Sequence, residues 1–162
     1  MTDSLWYPSV ADVLAIHDKV IQEYPNTDAG VRNEGSIAFA IDFIKDERFT
    51  DVPHTIHGKA FHLMRLLVAN HPFIDGNKRT ALNTAVVFYV LNGYQLAYDE
   101  DIIAILKDFG TDQTNIDTQN TLDYLREHSD QILLDEAIEE WREDLLRFGF
   151  DRLSEELSDP NG

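Results

Sequence analysis

TALNTAVVFYVL, residues 80–91, is apolar nearly all round when it is drawn as a helix. A helix of this kind must be covered on every side and belongs in the middle of a helical bundle. Asn92-Gly93 follows it, which is typical of a helix end because glycine accepts the left-handed position after the last turn. Elsewhere helical periodicity recurs, while alternation of period two is nearly absent. The sequence therefore predicts an all-α fold around this buried central helix.

Five more segments have the pattern of helices around the central one. They are residues 10–24, with Ser9 as N-cap, and residues 37–44, 58–70, 99–110 and 117–128. Residues 26–35 are polar and contain two glycines, which predicts a loop or a small hairpin. A last amphipathic helix is predicted at residues 132–148, ahead of an acidic tail. We expect residues 1–128 to form one domain, and residues 129–162 to pack on it or to extend it.

The composition excludes several classes of function. The chain has 162 residues, a formal net charge of −17 and no cysteine, so it forms no disulfide or thiolate metal site. Such an acidic surface repels nucleic acid and anionic lipid, and we expect neither as a partner. No apolar run approaches the roughly 20 residues that span a bilayer, and the first residues do not resemble a signal peptide. We therefore expect a cytoplasmic protein.

The acidic residues are mostly aspartate. There are 19 aspartates, 11 glutamates and only 5 lysines. That balance is typical of cytoplasmic proteins adapted to high salt, where the Debye length falls to roughly 3 Å at 1 M and self-repulsion is screened. A halophilic source is the prediction, and an acidic protein from an ordinary organism is the alternative.

One polar segment, HPFIDGNKRT at residues 71–80, lies between two apolar helices. Gly76 permits close backbone approach, and it opens the central helix, whose first N–H groups and positive dipole end favour an anion. Lys78 and Arg79 add two cations, and the planar fork of Arg79 suits phosphate oxygens. In so acidic a chain, two adjacent cations at this point indicate a phosphate site.

Asp75 and His71 supply the other chemistry of this segment. A carboxylate beside a phosphate is explained if it holds magnesium, which commonly binds one or two carboxylates together with substrate phosphates. A histidine with an ordinary pKa of about 6.5 suits removal of a proton from an attacking hydroxyl. Each feature alone has a structural explanation, as a helix-end histidine, a turn or a surface cation pair. Their joint occurrence predicts magnesium-dependent transfer from a nucleotide phosphate.

HPFIDGNKR resembles the signature of the Fic/Doc superfamily, His-x-Phe-x-(Asp/Glu)-(Gly/Ala)-Asn-(Gly/Lys)-Arg. Residues 66–96 are similar throughout to the Doc (death-on-curing) branch, and the likeness covers about residues 10–128. Residues 13–24 and 30–41 resemble the first helix and the flap region of that branch more weakly. The final 34 residues have no counterpart in that pattern. The resemblance implies a compact helical bundle with a small flap hairpin or loop near Val31-Arg32-Asn33-Glu34.

The branch of the family decides which group is transferred. AMP-transferring Fic proteins usually have glycine at the position of Lys78 and a second arginine at the position of Leu82. Doc proteins have Asn-Lys-Arg-Thr-Ala-Leu-Asn, which is the sequence of residues 77–83. The resemblance therefore implies a toxin kinase that moves the γ-phosphate of ATP to a threonine of a translation elongation factor. Gly76 is shared with the AMP-transferring branch and keeps adenylylation as an alternative.

The resemblance also implies roles for individual residues. His71 would be the base on the target hydroxyl, Asp75 would hold Mg²⁺, and Arg79 would join His71 as a catalytic residue. The phosphates would be gripped by Gly76, Asn77, Lys78, Arg79 and Asn83.

The inhibitory Fic motif, (Ser/Thr)-x-x-x-Glu-(Gly/Asn), is missing from this chain. Glu34 is the one glutamate followed by glycine or asparagine, and Gly30 stands four residues before it. The resemblance thus implies restraint by a separate antitoxin, whose disordered tail would fold into a groove on the toxin.

Two further alternatives remain. One is a catalytically silent binding module that kept the fold, against which the intact His71, Asp75 and Arg79 argue. The other is a histidine metal site at His54, His57 and His62, although only the first of their two spacings suits one face of a helix.

Overall fold

The computed structural model describes residues 5–45, 55–111 and 116–132. Within these residues the chain forms six helices and one two-stranded sheet. In chain order the elements are α1 (Val10–Glu23), α2 (Glu34–Lys45), α3 (Ile56–Ala69), α4 (Asn77–Leu91), β1 (Tyr94–Leu96), α5 (Asp101–Thr111), α6 (Thr118–Glu127) and β2 (Ser129–Gln131). The all-α prediction is confirmed. None of the helices in the described ranges is long and apolar enough to span a membrane.

Helix α4 lies in the middle of the bundle, as its sequence predicts. Every residue from Asn77 to Val90 is buried, and the helix packs against α3, α1, β1 and α5. Large side chains of α4 such as Phe88 and Tyr89 are fully buried, and Phe61 and Leu67 of α3 lie in the same core. Burial of one such side chain stabilises the fold by about 1.5–3 kcal/mol. The site segment is thus attached to the most strongly held helix of the domain.

The helix ends follow the local signals in most places. Ser9 caps α1 in a capping box with Asp12: Ser9 Oγ accepts from the Asp12 N–H at 3.1 Å, and Asp12 Oδ2 accepts from the Ser9 N–H at 2.8 Å. Asp99 caps the start of α5 by accepting from the Asp101 N–H at 3.0 Å. Helix α2 begins at Glu34, three residues before the predicted position, because the polar residues ahead of Ile37 form its exposed first turn.

The strands were not predicted where they occur. Residues 26–33, here called the flap segment, form a loop that contributes one isolated antiparallel bridge, between Val31 and Phe73. The sheet instead joins β1 to β2 in antiparallel register, with Gln95 opposite Asp130. The helix predicted at residues 132–148 falls almost entirely outside the described residues, as does the acidic tail, and the domain boundary after His128 stays a prediction.

The flap segment is tied by its backbone to the loop between α3 and α4. The Arg32 N–H donates to the Pro72 carbonyl at 2.7 Å, and the Ile74 N–H donates to the Gly30 carbonyl at 3.1 Å. The segment between α1 and α2 is therefore held against the polar segment at residues 71–80.

Candidate active site

The loop between α3 and α4 turns sharply at both of its ends. His71 has φ 45° and Gly76 has φ 79°, so both residues lie in the left-handed region. Between them the side chain of Asn77 clamps the backbone of Phe73. Asn77 Oδ1 accepts from the Phe73 N–H and Asn77 Nδ2 donates to the Phe73 carbonyl, each at 3.0 Å. The Asn77 amide thus shapes the loop, which leaves its backbone N–H as the group that could face a phosphate.

His71 combines partial exposure with a lowered pKa. Burial lowers the pKa of its imidazole below the ordinary value of 6.5, and the cations of Lys78 and Arg32 lower it further. The ring is therefore neutral near pH 7, which is the state that accepts a proton. The left-handed backbone of a non-glycine residue costs roughly 1–2 kcal/mol, and such strain is common where a side chain must be aimed.

Asp75 is held by backbone groups on two sides. Its Oδ1 accepts from the Gly76 N–H at 2.8 Å, and its Oδ2 accepts from the Asp28 N–H of the flap segment at 3.2 Å. Each carboxylate oxygen keeps a further lone pair. No group of three metal-ligating side chains occurs within the described part of the chain. One half-buried carboxylate beside a candidate phosphate site nevertheless fits magnesium, which takes its remaining ligands from phosphates and water.

The amino end of α4 faces this carboxylate. The first intrahelical hydrogen bond runs from the Thr80 N–H to the Gly76 carbonyl at 3.0 Å, so the helix offers no acceptor to the N–H groups before it. Gly76 has no side chain with which to cap them. These N–H groups and the helix dipole favour an anion such as phosphate.

Two buried cations flank the helix end. Arg79 lies with its guanidinium carbon 3.9 Å from the centre of the Tyr24 ring, a cation–π contact. Burial lowers the pKa of Arg79 below its ordinary value, and the Tyr24 and Asp75 side chains offset part of that lowering. Lys78 packs beside Gly110 near the carboxyl end of α5, where a Cβ on Gly110 would lie 3.7 Å from Nζ.

Asn83 lies one turn further along α4 and is buried. Its Nδ2 donates to the Arg79 carbonyl at 2.8 Å, while Oδ1 accepts no hydrogen bond from any residue that the structure describes. An acceptor does not hold a phosphate oxygen directly. The predicted phosphate contact of Asn83 therefore needs the amide to turn over or a bridging water.

A family model described as the Fic/DOC family matches residues 7–89, which include the whole loop and most of α4. The chain belongs to the Fic/DOC family. It is also 35% identical over 82 residues to a protein named Toxin Doc from Mycolicibacterium smegmatis. That match covers 51% of this chain and 56% of the relative, so it spans little more than half of the relative's length.

Two residues at this Fic/DOC site, one in α1 and one directly after it, were missed by the sequence analysis. Tyr24 lies under Arg79, and His17 contacts the loop through Asp75 and Phe73. The available signal for His17 was its spacing, because it lies four residues after Val13 and three before Val20 on the buried stripe. The ring nitrogens of a buried histidine need hydrogen-bond partners, so a histidine on a buried stripe indicates a polar contact inside the fold.

The histidine metal site receives no support from the two members that are described. His57 Nδ1 forms a hydrogen bond with the Tyr89 hydroxyl at 3.0 Å, and His62 Nδ1 accepts from Arg65 Nε at 3.2 Å. His57 is thus used in a contact between α3 and α4, and His62 in a contact within α3. His54 lies outside the described residues.

Gly76→Ala should destabilise the fold more than Gly93→Ala does. Both glycines have positive φ, 79° and 86°, so alanine at either costs about 1–2 kcal/mol of backbone strain. A Cβ at Gly76 would also lie 3.3 Å from Val20 Cγ1, whereas the nearest atom at Gly93 is 3.9 Å away. We expect a further loss of about 1 kcal/mol in Gly76→Ala, measured as the free energy of unfolding in urea. Equal losses in the free energy of unfolding would show that the Val20 side chain moves aside without destabilising the fold.

Proposed function

We propose that this chain is a Doc-type toxin that transfers the γ-phosphate of ATP, with Mg²⁺, to a Ser/Thr hydroxyl of a translation elongation factor. The observation that carries the proposal is the convergence at one loop. Three features lie within residues 71–79. They are a histidine whose pKa is lowered, a carboxylate that accepts a backbone hydrogen bond, and a helix end with two cations and no side-chain cap. Positioning and charge stabilisation of this kind are what phosphoryl transfer needs.

The chemistry that follows uses each group once. His71 accepts the proton of the substrate hydroxyl, whose oxygen attacks the γ-phosphorus. The bond from that phosphorus to its bridging oxygen breaks, and ADP leaves with the electron pair. The α4 N–H groups, Lys78 and Arg79 stabilise the negative charge on the transferring group. Bound magnesium would supply charge neutralisation at the phosphate oxygens, with Asp75 as its protein ligand.

Two positions favour the kinase over the adenylyltransferase. Lys78 adds a cation in the first turn of α4, where AMP-transferring Fic proteins usually have glycine. Leu82, at the position of their second arginine, is 1% exposed and belongs to the hydrophobic core. A guanidinium could not occupy that place without burying an unpaired charge. Adenylylation remains the second candidate because Gly76 is shared with that branch.

The exposed backbone edge of the flap segment supports the proposal that the substrate is a protein. Hydrogen bonds to the loop flank Val31 on both sides, so by the alternation of antiparallel pairing its own N–H and C=O point away from Phe73. Val31 is 48% exposed and Ile74 is 46% exposed. An extended peptide could add to this edge through backbone hydrogen bonds and pack on the two apolar side chains.

The reaction is tested by the mass of the elongation factor after incubation with the chain, ATP and magnesium. A gain of one phosphoryl group at a single Ser or Thr is the expected result. A gain of one AMP would replace the kinase with the adenylyltransferase. An unchanged mass, with intact ATP, would favour the silent binding module.

The proposed biology is a cytoplasmic toxin restrained by a separate antitoxin whose disordered tail folds onto it, with no nucleic-acid or membrane partner. Induction of the chain in growing cells should arrest growth, and co-expression of the antitoxin should restore it. Normal growth with the active enzyme present would contradict the toxin assignment.

Arg32→Gln should shift the acid limb of the pH profile to higher pH. The proton-accepting ring must be neutral, so the rate rises with pH through the pKa of His71, which lies below its ordinary value. Removal of the Arg32 charge removes one cause of that lowering, and the pKa rises. The measurement is kcat/KM against pH. Lys107→Gln on α5 makes the same charge change as a control, and an equal midpoint in the two variants would contradict the assignment.

A further inference from the structure

His17, on the buried face of α1, contacts the active-site loop at two points. Its Nε2–H donates to the Asp75 carbonyl at 2.8 Å. Its ring stacks on Phe73, with the ring centres 3.7 Å apart and the planes 7° from parallel. The side chain is 3% exposed, so both contacts are made away from water. A carbonyl oxygen only accepts, which assigns the proton to Nε2.

These contacts complete the support of Asp75. The carboxylate is held by N–H groups of Gly76 and of the flap segment, and the carbonyl of the same residue is held by His17. The carbonyl and the carboxylate are thus fixed from three different parts of the chain. Because His17 Nε2 also lies 3.6 Å from the position of a Cβ on Gly76, the ring borders the turn that starts α4. A shift of His17 would therefore move the carboxylate relative to the helix end.

We propose that His17 is a positioning residue of the transfer site, which fixes Asp75 for magnesium and so sets where the metal lies relative to the amino end of α4. The inference rests on the proposed function. It makes α1 part of the active site, although none of its residues belongs to the HPFIDGNKR segment. The role requires a donor at Nε2, whereas a role in packing alone requires only the ring.

That difference defines the variants. His17→Gln keeps an N–H donor at about the distance of Nε2, and His17→Asn is a similar amide that is too short to reach the Asp75 carbonyl. His17→Phe keeps the ring that stacks on Phe73 but removes the donor. His62→Phe is the matched control, since it removes a half-buried histidine whose contacts are with Phe43, Phe61 and Arg65, outside the loop.

The experiment measures ATP affinity with saturating magnesium and with a chelator, and then kcat and KM for the protein substrate. The affinity for ATP with magnesium, divided by the affinity with the chelator, measures how much the metal held by Asp75 contributes to binding. We expect His17→Asn and His17→Phe to lower this ratio and kcat by about 10–100-fold, the usual effect of losing a partner that orients a metal ligand. KM for the protein substrate should stay within about threefold. His17→Gln should recover most of the ratio, and His62→Phe should match the wild type.

Two outcomes overturn the inference. If the folded His17→Asn and His17→Phe variants keep the wild-type ratio and kcat, His17 serves packing alone. If His17→Gln is as defective as His17→Asn, the donor is not what matters. His17→Asn decides the question if His17→Phe fails to fold. A wild-type chain that binds ATP without any effect of magnesium and transfers nothing overturns the proposed function, and this role with it.

Discussion

His71→Ala should reduce transfer by about 10²–10⁴-fold while the protein stays folded. The reason is that the surroundings of His71 favour its neutral, proton-accepting form: burial, Lys78 and Arg32 all lower its pKa. The variant keeps the loop because Asn77 holds the Phe73 backbone independently of the imidazole. Alanine occupies the same left-handed position at φ 45° with similar strain. The measurement is the single-turnover rate of phosphoryl transfer, with circular dichroism as the check on folding.

His128→Ala is the matched control for this loss. His128 is another partly buried histidine at the end of a helix, where it stacks on Tyr124 at the carboxyl end of α6. It has no contact with the loop between α3 and α4 in the described structure. The control should transfer at the wild-type rate. A wild-type rate in His71→Ala would remove His71 as the base and would leave positioning alone to explain catalysis.

Asp75→Asn should abolish the magnesium dependence together with most of the activity. The asparagine oxygen can still accept from the Gly76 N–H, so the turn is preserved. The negative charge that we propose to bind the metal is lost. Loss of an outer partner alone costs about 10–100-fold in metal affinity, and loss of the ligand should cost at least as much. The measurement is the transfer rate against magnesium concentration.

Asp42→Asn, on the exposed face of α2, makes the same charge change as a control for the net charge of this acidic chain. It should leave the half-saturating magnesium concentration unchanged. If Asp75→Asn behaves like Asp42→Asn, the carboxylate of Asp75 does not hold the metal, and another group must be sought for it.

The central helix was predictable because burial on all sides leaves a plain mark in the sequence. Few polar residues interrupt Thr80–Leu91, and Gly76 and Gly93 mark the two ends. The strands left no such mark. Tyr94–Leu96 and Ser129–Gln131 are three residues each, too short to show alternation, and two helices separate them. Their pairing follows from the packing of those helices, which local patterns do not encode.

The candidate site likewise has a part that the sequence predicts and a part that it does not. His71, Asp75 and Arg79 lie within nine consecutive residues, so the spacing alone showed that they belong together. His17 reaches Asp75 across 58 residues, and Tyr24 is similarly remote from Arg79 in the chain. In the sequence, Tyr24 belongs to the apolar stripe of residues 10–24, and His17 lies between members of that stripe. The part of the site that depends on helix packing was therefore out of reach of sequence reasoning.

The most direct test of the account compares label transfer from α-labelled and γ-labelled ATP to the elongation factor. The purified chain is used with magnesium in high salt, the condition that its acidic composition favours. We expect that γ-label alone is transferred and that His71→Ala transfers neither label. Transfer of the α-label would contradict it, and would assign the chain to the AMP-transferring branch that shares Gly76.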